Sequence, residues 1–152
     1  MLDYSGVARD GSKNGKVKAS ILVVTNATSS AFYCGFHSKG ERLGMLAIPG
    51  GKNEEGETNL QTALREFREE GGDLVMNLHE IYDLGTVYFD VYAISVFVHP
   101  SNCDSIVQNH PDALGDFTLR SVEDIVELKN KGVRTERSID IAMQWVLGHA
   151  PL

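Results

Sequence analysis

The chain is short of cysteine, proline and excess positive charge, and it has no long apolar run. Each shortage removes a class of protein. Only two cysteines occur, Cys34 and Cys103, neither in a Cys-x-x-Cys pair nor beside a Cys/His cluster. A disulfide framework and a structural zinc site are both disfavoured, and free thiols in a reducing cytoplasm are expected. With four prolines and no low-complexity tract, nothing reads as an interdomain linker. No stretch approaches the ~20 apolar residues that cross a bilayer, so no membrane partner is expected. The opening MLDYSGVARDGSKNGK has no apolar segment of the kind a secretory signal needs. Lys and Arg number 14 against 21 Asp and Glu, a net charge of −7. A broad nucleic-acid face needs clustered cations, so no extended nucleic-acid partner is expected. A small phosphate ligand remains compatible, provided that metal ions bridge the two negative partners.

What is present fits one domain spanning all 152 residues, with residues 1–15 as a loose polar lead-in. Lys16–Thr25 is β-branched and apolar and predicts a strand; Ala31–His37 predicts its hairpin partner across the turn residues Asn26–Ser30. Ser38–Arg42 reads as a polar loop, and Leu43–Ile48 as a short extended piece. Pro49-Gly50-Gly51 is expected to stop regular structure. Val75–Leu84 reads as a strand. Thr86–His99 reads as one long central strand, and Pro100–Gly115 as a polar loop. Phe117–Leu119 is a short strand, Ser121–Lys129 a helix, and Thr135–Leu147 a last helix stopped by Gly148. Irregular alternation of hairpin-like strands with helices points to an α+β fold with a mixed sheet between helices.

The most informative stretch is GGKNEEGETNLQTALREFREEGGD, Gly50–Asp73. Thr58 and Gln61 form a capping box, Leu60, Ala63, Leu64 and Phe67 fall on one face, and Gly71-Gly72 supplies a stop. At ~100° per residue, Glu66, Glu69 and Glu70 cover an arc of about 100°, centred roughly 115° from that apolar face. Like charges a turn apart repel by a few tenths of a kcal/mol each, and Glu69-Glu70 also oppose the helix dipole. A divalent cation offsets both, and hard carboxylate oxygens suit Mg²⁺ or Mn²⁺. A solvated acidic face relieved by Arg65 and Arg68 is the bland alternative for a bare acidic helix. The flanking positions weigh against it. Gly51-x5-Glu57-x7-Arg65-Glu66-x2-Glu69-Glu70-x-Gly72 fixes seven residues, a match expected by chance on the order of once in 10⁹ start positions.

This spacing resembles the signature of the Nudix hydrolases, G-x5-E-x7-R-E-U-x-E-E-x-G-U, where U is bulky and aliphatic. Two U positions depart from it: Phe67 stands at the first, and Asp73 at the last with Leu74 one place later. The resemblance implies an α/β/α sandwich in which the signature forms a loop–helix–loop. It implies metal-dependent hydrolysis of a pyrophosphate bond with two or three Mg²⁺ or Mn²⁺ ions. Glu66, Glu69, Glu70 and the carbonyl of Gly50 are then the expected metal ligands. Glu57 assists through water or as a weaker ligand, and Arg65 orients the glutamates by pairing with Glu57 or Glu69. Gly50 and Gly51 permit close backbone approach to metal and phosphate. A carboxylate, Glu66 or Glu69, takes the proton of the attacking water. Asp112 and Asp116, just before Phe117, are candidate further ligands or bases, although plain surface aspartates are the simpler reading.

The substrate is less legible. Tyr88, Phe89 and Tyr92, or Phe32, Tyr33 and Phe36, could stack on a base, but aromatics in alternating strand runs more often pack the core. His37 or His99 could line a cleft. The expected substrates are small nucleoside diphosphate derivatives: ADP-ribose, a dinucleoside polyphosphate, FAD or NADH. The alternatives are a nucleoside triphosphate or RNA 5′-end pyrophosphohydrolase, and a non-catalytic Nudix-like nucleotide-binding regulator. The last of these usually loses signature glutamates, and all are retained here. A homodimer is common in such a family. A P-loop reading of Gly6-x4-Gly11-Ser12-Lys13 fails because the last two residues are inverted and no strand precedes them.

Overall fold

A computed structural model describes residues 16–72, 80–100 and 113–149. The expected lead-in over residues 1–15 lies outside them, as do residues 75–79 of the expected strand. The described elements are β1 (Val17–Thr25), β2 (Ala31–Phe36), β3 (Leu46–Ala47), β4 (Gly50–Lys52), α1 (Asn59–Glu70), β5 (Tyr82–Tyr88), β6 (Tyr92–Pro100), β7 (Gly115–Ser121), α2 (Val122–Asn130) and α3 (Arg137–His149). The sheet is mixed. β1 pairs with β6 in parallel from Val17↔Tyr92 to Thr25↔Pro100. Its other edge is divided between β4, at residues Ala19–Ile21, and β2, at Thr25↔Phe32. β2 carries β7 along one edge and β3 at Gly35–Phe36.

Strand alternation sorts the core into two layers. Ile21 and Val23 of β1, Phe32 and Cys34 of β2, and Ile94, Val96 and Val98 of β6 pack with Ile125 of α2 and with Ile139, Ala142 and Val146 of α3. Leu22, Val24, Tyr33 and Phe97 point to the opposite face and meet Ala63 and Phe67 of α1. This is the expected α/β/α sandwich; among the described residues, α1 is the one helix on its side. Phe67 is an effective anchor in place of an aliphatic residue: it is buried and packs edge-on against Phe117 at 5.8 Å between ring centroids.

Three expectations are corrected. Thr86–His99 is not one strand. It is the end of β5, a turn, and β6, closed by the Phe89 N–H donating to Tyr92 O at 2.7 Å. Alternation of apolar and polar residues carries through the turn, and Asp90 is the only local mark of it. Phe89 drops into the core, where the Arg137 guanidinium covers its ring at 4.3 Å. Gly50-Gly51 does not end regular structure either. It enters β4 beside β1, because a Cβ on Gly50 would overlap Ile21 Cγ2 and sit 2.9 Å from Ser20 O. Gly148, the expected stop, lies within α3, which runs to His149; one glycine weakens a helix by about 1 kcal/mol and need not end it. The two capping boxes, Thr58/Gln61 on α1 and Ser121/Asp124 on α2, are both formed.

Candidate active site

The turn from β4 into α1 brings the acidic residues together. Asn53 accepts from Ser20 Oγ at 2.8 Å and donates to Asn59 at 2.6 Å, tying the loop to β1 and to the helix start. Glu57 is fully engaged. Its two oxygens accept from the Glu54 N–H (3.0 Å), Thr62 Oγ1 (2.9 Å), Arg65 Nε (2.8 Å) and Arg65 Nη2 (3.1 Å). Hydrogen bonding to Arg65 is the largest cause that holds the Glu57 carboxyl down to about 2. Arg65 also donates to Glu66 at 3.0 Å, to Glu69 at 3.3 Å and to Lys52 O at 3.3 Å. It thus meets both partners expected of it, and Glu66 as well.

Glu70 occupies a different environment. Its Oε1 accepts the Gly50 N–H at 2.9 Å. Burial, opposed by that hydrogen bond and reinforced by the Glu66 charge, pushes its carboxyl up to about 8. Burial also raises Glu66, against the pull of Arg65. Glu69 is the most open of the three, with about half of its side chain exposed. The three carboxylates line one wall of a cleft of about 640 Å³. The other walls are the β2–β3 loop, with His37, Lys39 and Arg42, and the Ala113-Leu114 pair before β7. Leu114 is fastened to the helix end by its N–H donating to Glu70 O at 2.7 Å.

Among the described residues, no three His, Cys, Asp or Glu side chains already converge on a point for an ion. Arg65 explains this, since its guanidinium takes up Glu66 and Glu69. The donor set nonetheless suits a hard divalent cation. It is all oxygen, two of its carboxyls are pushed upward by burial, and Gly51 leaves the space beside Glu66 that a Cβ would fill. Gly51→Ala is therefore expected to displace the Glu66 carboxylate. Turnover should drop by about 10- to 100-fold while the far-ultraviolet circular dichroism spectrum is unchanged. An equal loss of activity and folded signal would refute that origin.

Of the other expected site residues, Gly50 meets Glu70 through its N–H. Asp116 is exposed, adopts a positive φ of 52° and does not line the cleft. Tyr88 is on the edge strand β5, away from the cleft lining. Asp112 and Cys103 lie outside the described residues. Phe32 and Tyr33 are buried, Phe36 lies under the Arg120 guanidinium, and none of them offers a base platform in the cleft. His37 does line it, whereas His99 is buried. Sequence reasoning placed His37 at a cleft but missed Lys39 and Arg42 beside it. Their signal was two basic side chains gathered just before Pro49-Gly50-Gly51 in an acidic chain.

The NUDIX domain model matches residues 14–139. The chain belongs to the NUDIX family. It is accordingly a hydrolase of phosphoanhydride bonds, and the sandwich with its signature loop and helix is the Nudix fold. Solved structures agree on that fold. A Deinococcus radiodurans protein superposes with a TM-score of 0.64 at 15% identity, over 89% of this chain and 83% of its own. MutT, from Aliivibrio salmonicida and Vibrio cholerae, gives 0.59 at 20%, over 87% and 97%. The bifunctional NMN adenylyltransferase/ADP ribose pyrophosphatase of Francisella tularensis, complexed with AMP and a manganese ion, gives 0.62 at 17%. There this Nudix chain is matched over 90% of its length but only 43% of the partner. No curated protein matches the chain by sequence. Among the described residues, no helix is long and apolar enough to cross a membrane.

Burial at Glu70 carries a pH prediction. Its pKa is raised in the folded protein, so folding binds a proton at Glu70, and the contribution of this group to stability is fully present below the ordinary glutamate range. That stability is lost as pH rises from about 4.5 towards 8. A divalent cation held at Glu70 would replace the proton, so the rise in Tm on adding Mg²⁺ is expected to be larger at pH 8 than at pH 6 by differential scanning fluorimetry. A larger rise at pH 6 would contradict this.

Proposed function

We propose that this chain hydrolyses the pyrophosphate bond of a small nucleotide, with Glu66, Glu69 and Glu70 holding divalent cations under the substrate. The observation that carries the reading is the placement of these three carboxylates along one wall of a cleft large enough for a nucleotide. The substrates in view are ADP-ribose, dinucleoside polyphosphates, FAD and NADH, with nucleoside triphosphates and RNA 5′ ends as the alternative. Retention of every signature glutamate supports an enzyme over a non-catalytic nucleotide-binding regulator.

Mg²⁺ or Mn²⁺, when bound, neutralises the pyrophosphate and acidifies the attacking water. The chain's own groups do the rest. Glu70, fixed by the Gly50 N–H, would be the most constrained ligand. Glu66 is held between Arg65 and the space left by Gly51. The Gly50 carbonyl would add a further oxygen ligand. Glu57 keeps Arg65 in place, so its role is positioning. Glu69, the most open carboxylate, would accept the water proton on the oxygen it does not give to a cation, as the water oxygen attacks phosphorus and the bridging P–O bond breaks. The proton then passes to the departing phosphate.

The direct test is an assay in Mg²⁺ and Mn²⁺ across ADP-ribose, diadenosine polyphosphates, FAD, NADH, coenzyme A and nucleoside triphosphates, with products separated by chromatography. The account expects metal-dependent release of a nucleoside monophosphate from at least one of them. Absence of metal-dependent turnover across the panel would favour the regulator.

A further inference from the structure

We propose that Arg42, positioned by Glu136, receives a phosphate of the substrate beyond those held over Glu66, Glu69 and Glu70. This rests on the hydrolase reading of the same cleft and narrows its substrates. The cleft is bipolar. Carboxylates form one wall, and the loop between β2 and β3 brings His37, Lys39 and Arg42 to the other, together with Glu41. The loop is a tied structure. The His37 N–H donates to Met45 O at 3.0 Å, the Gly44 N–H to His37 O at 2.8 Å, and the Met45 N–H to Arg42 O at 2.9 Å. Gly40 and Gly44 supply the positive φ values, 78° and 80°, that such a tight loop needs.

Glu136 anchors this loop from the segment leading into α3. Its backbone is locked to β3: the Leu46 N–H donates to Arg134 O and the Glu136 N–H to Leu46 O, both at 2.9 Å. One side-chain oxygen, Oε1, then meets His37 Nε2 at 2.7 Å and Arg42 Nη1 at 2.8 Å. The Glu136 side chain is 19% exposed, whereas that of Arg42 is 65% exposed. An exposed ion pair of this kind adds little to stability. What it does is hold a guanidinium in the lining of the same cleft that the three carboxylates face. Arg42 spends one nitrogen on Glu136; the guanidinium has five N–H donors, and its fork matches a phosphate. Cations at the glutamates would take up a diphosphate. Arg42, in the lining of the same cleft, would be the partner for a further phosphate. The cleft therefore favours nucleoside triphosphates and dinucleoside polyphosphates over ADP-ribose, FAD and NADH.

The test compares the native enzyme with R42Q and E136Q in Mg²⁺, using ATP and diadenosine tetraphosphate against ADP-ribose. R42Q is expected to raise KM for the polyphosphates about 10-fold, the worth of one charge-assisted contact, with kcat within about threefold. KM for ADP-ribose should stay within about twofold, because an unselective change would signal a structural role. E136Q should raise the same polyphosphate KM by about threefold, and R42K should restore part of the R42Q loss. Calorimetric binding of inorganic tripolyphosphate and pyrophosphate in Mg²⁺ makes the outcome independent of turnover. Weaker binding of tripolyphosphate alone in R42Q supports the assignment even if no nucleotide is cleaved, in which case the hydrolase reading is what fails. Equal weakening of both anions, or of neither, overturns the role of Arg42.

Discussion

Glu69→Gln is expected to lower kcat by about 10²- to 10⁴-fold, the range for loss of a proton acceptor in the transition state. The substitution keeps the side-chain shape and removes its charge. Glu69 is half exposed, its hydrogen bonds to Arg65 are the long ones at 3.3 and 3.5 Å, and Arg65 keeps Glu57 and Glu66 without it. The variant should therefore melt at the temperature of the native protein or slightly above, since one like charge near Glu66 is gone. KM should move far less than kcat. Retained Mg²⁺-dependent turnover in a folded Glu69→Gln protein would remove Glu69 from the catalytic role proposed for it.

Arg65→Ala is expected to cost activity by about 10- to 100-fold, the usual scale for a residue that orients metal ligands without touching the metal. One guanidinium bridges Glu57, Glu66, Glu69 and the carbonyl of Lys52. Its removal leaves three carboxylates to repel one another and frees the loop that Glu57 fastens to the helix. In the absence of metal the variant should melt below the native protein, and Mg²⁺ should recover part of the difference by taking over Glu66 and Glu69. Arg65→Lys should recover little, because a single ammonium cannot serve Nε, Nη1 and Nη2 contacts at once. If the Arg65→Ala variant keeps native kcat, the orienting role is wrong. If its melting temperature is low and insensitive to Mg²⁺, Arg65 is structural only.

The helix bearing the carboxylates was legible because everything that defines it is local. Thr58 and Gln61 close a box three residues apart, the apolar face repeats at helical spacing, and Gly71 ends it. The two layers of the core were legible for the same reason, in the apolar runs of β1 and β6 and the stripe of Ile139, Ala142 and Val146 on α3. What stayed hidden depends on contacts between distant residues. Arg42 and Glu136 are 94 positions apart, and only the seating of β3 beside the segment before α3 brings them together. The burial that raises Glu70 depends on β4 running against β1, which a Pro-Gly-Gly sequence does not announce. The hairpin at Phe89–Val91 hid inside a β-branched and aromatic run broken only lightly by Asp90, since its turn carries neither glycine nor proline.

Diffraction from a crystal soaked in Mn²⁺ with a slowly cleaved nucleotide tests the central claim most directly. Anomalous scattering should place manganese against the carboxylates of Glu66, Glu69 and Glu70 and against the nucleotide phosphates, with Arg65 turned back onto Glu57. A nucleotide bound without manganese at these side chains, with Glu66 and Glu69 still paired to Arg65, would contradict the account.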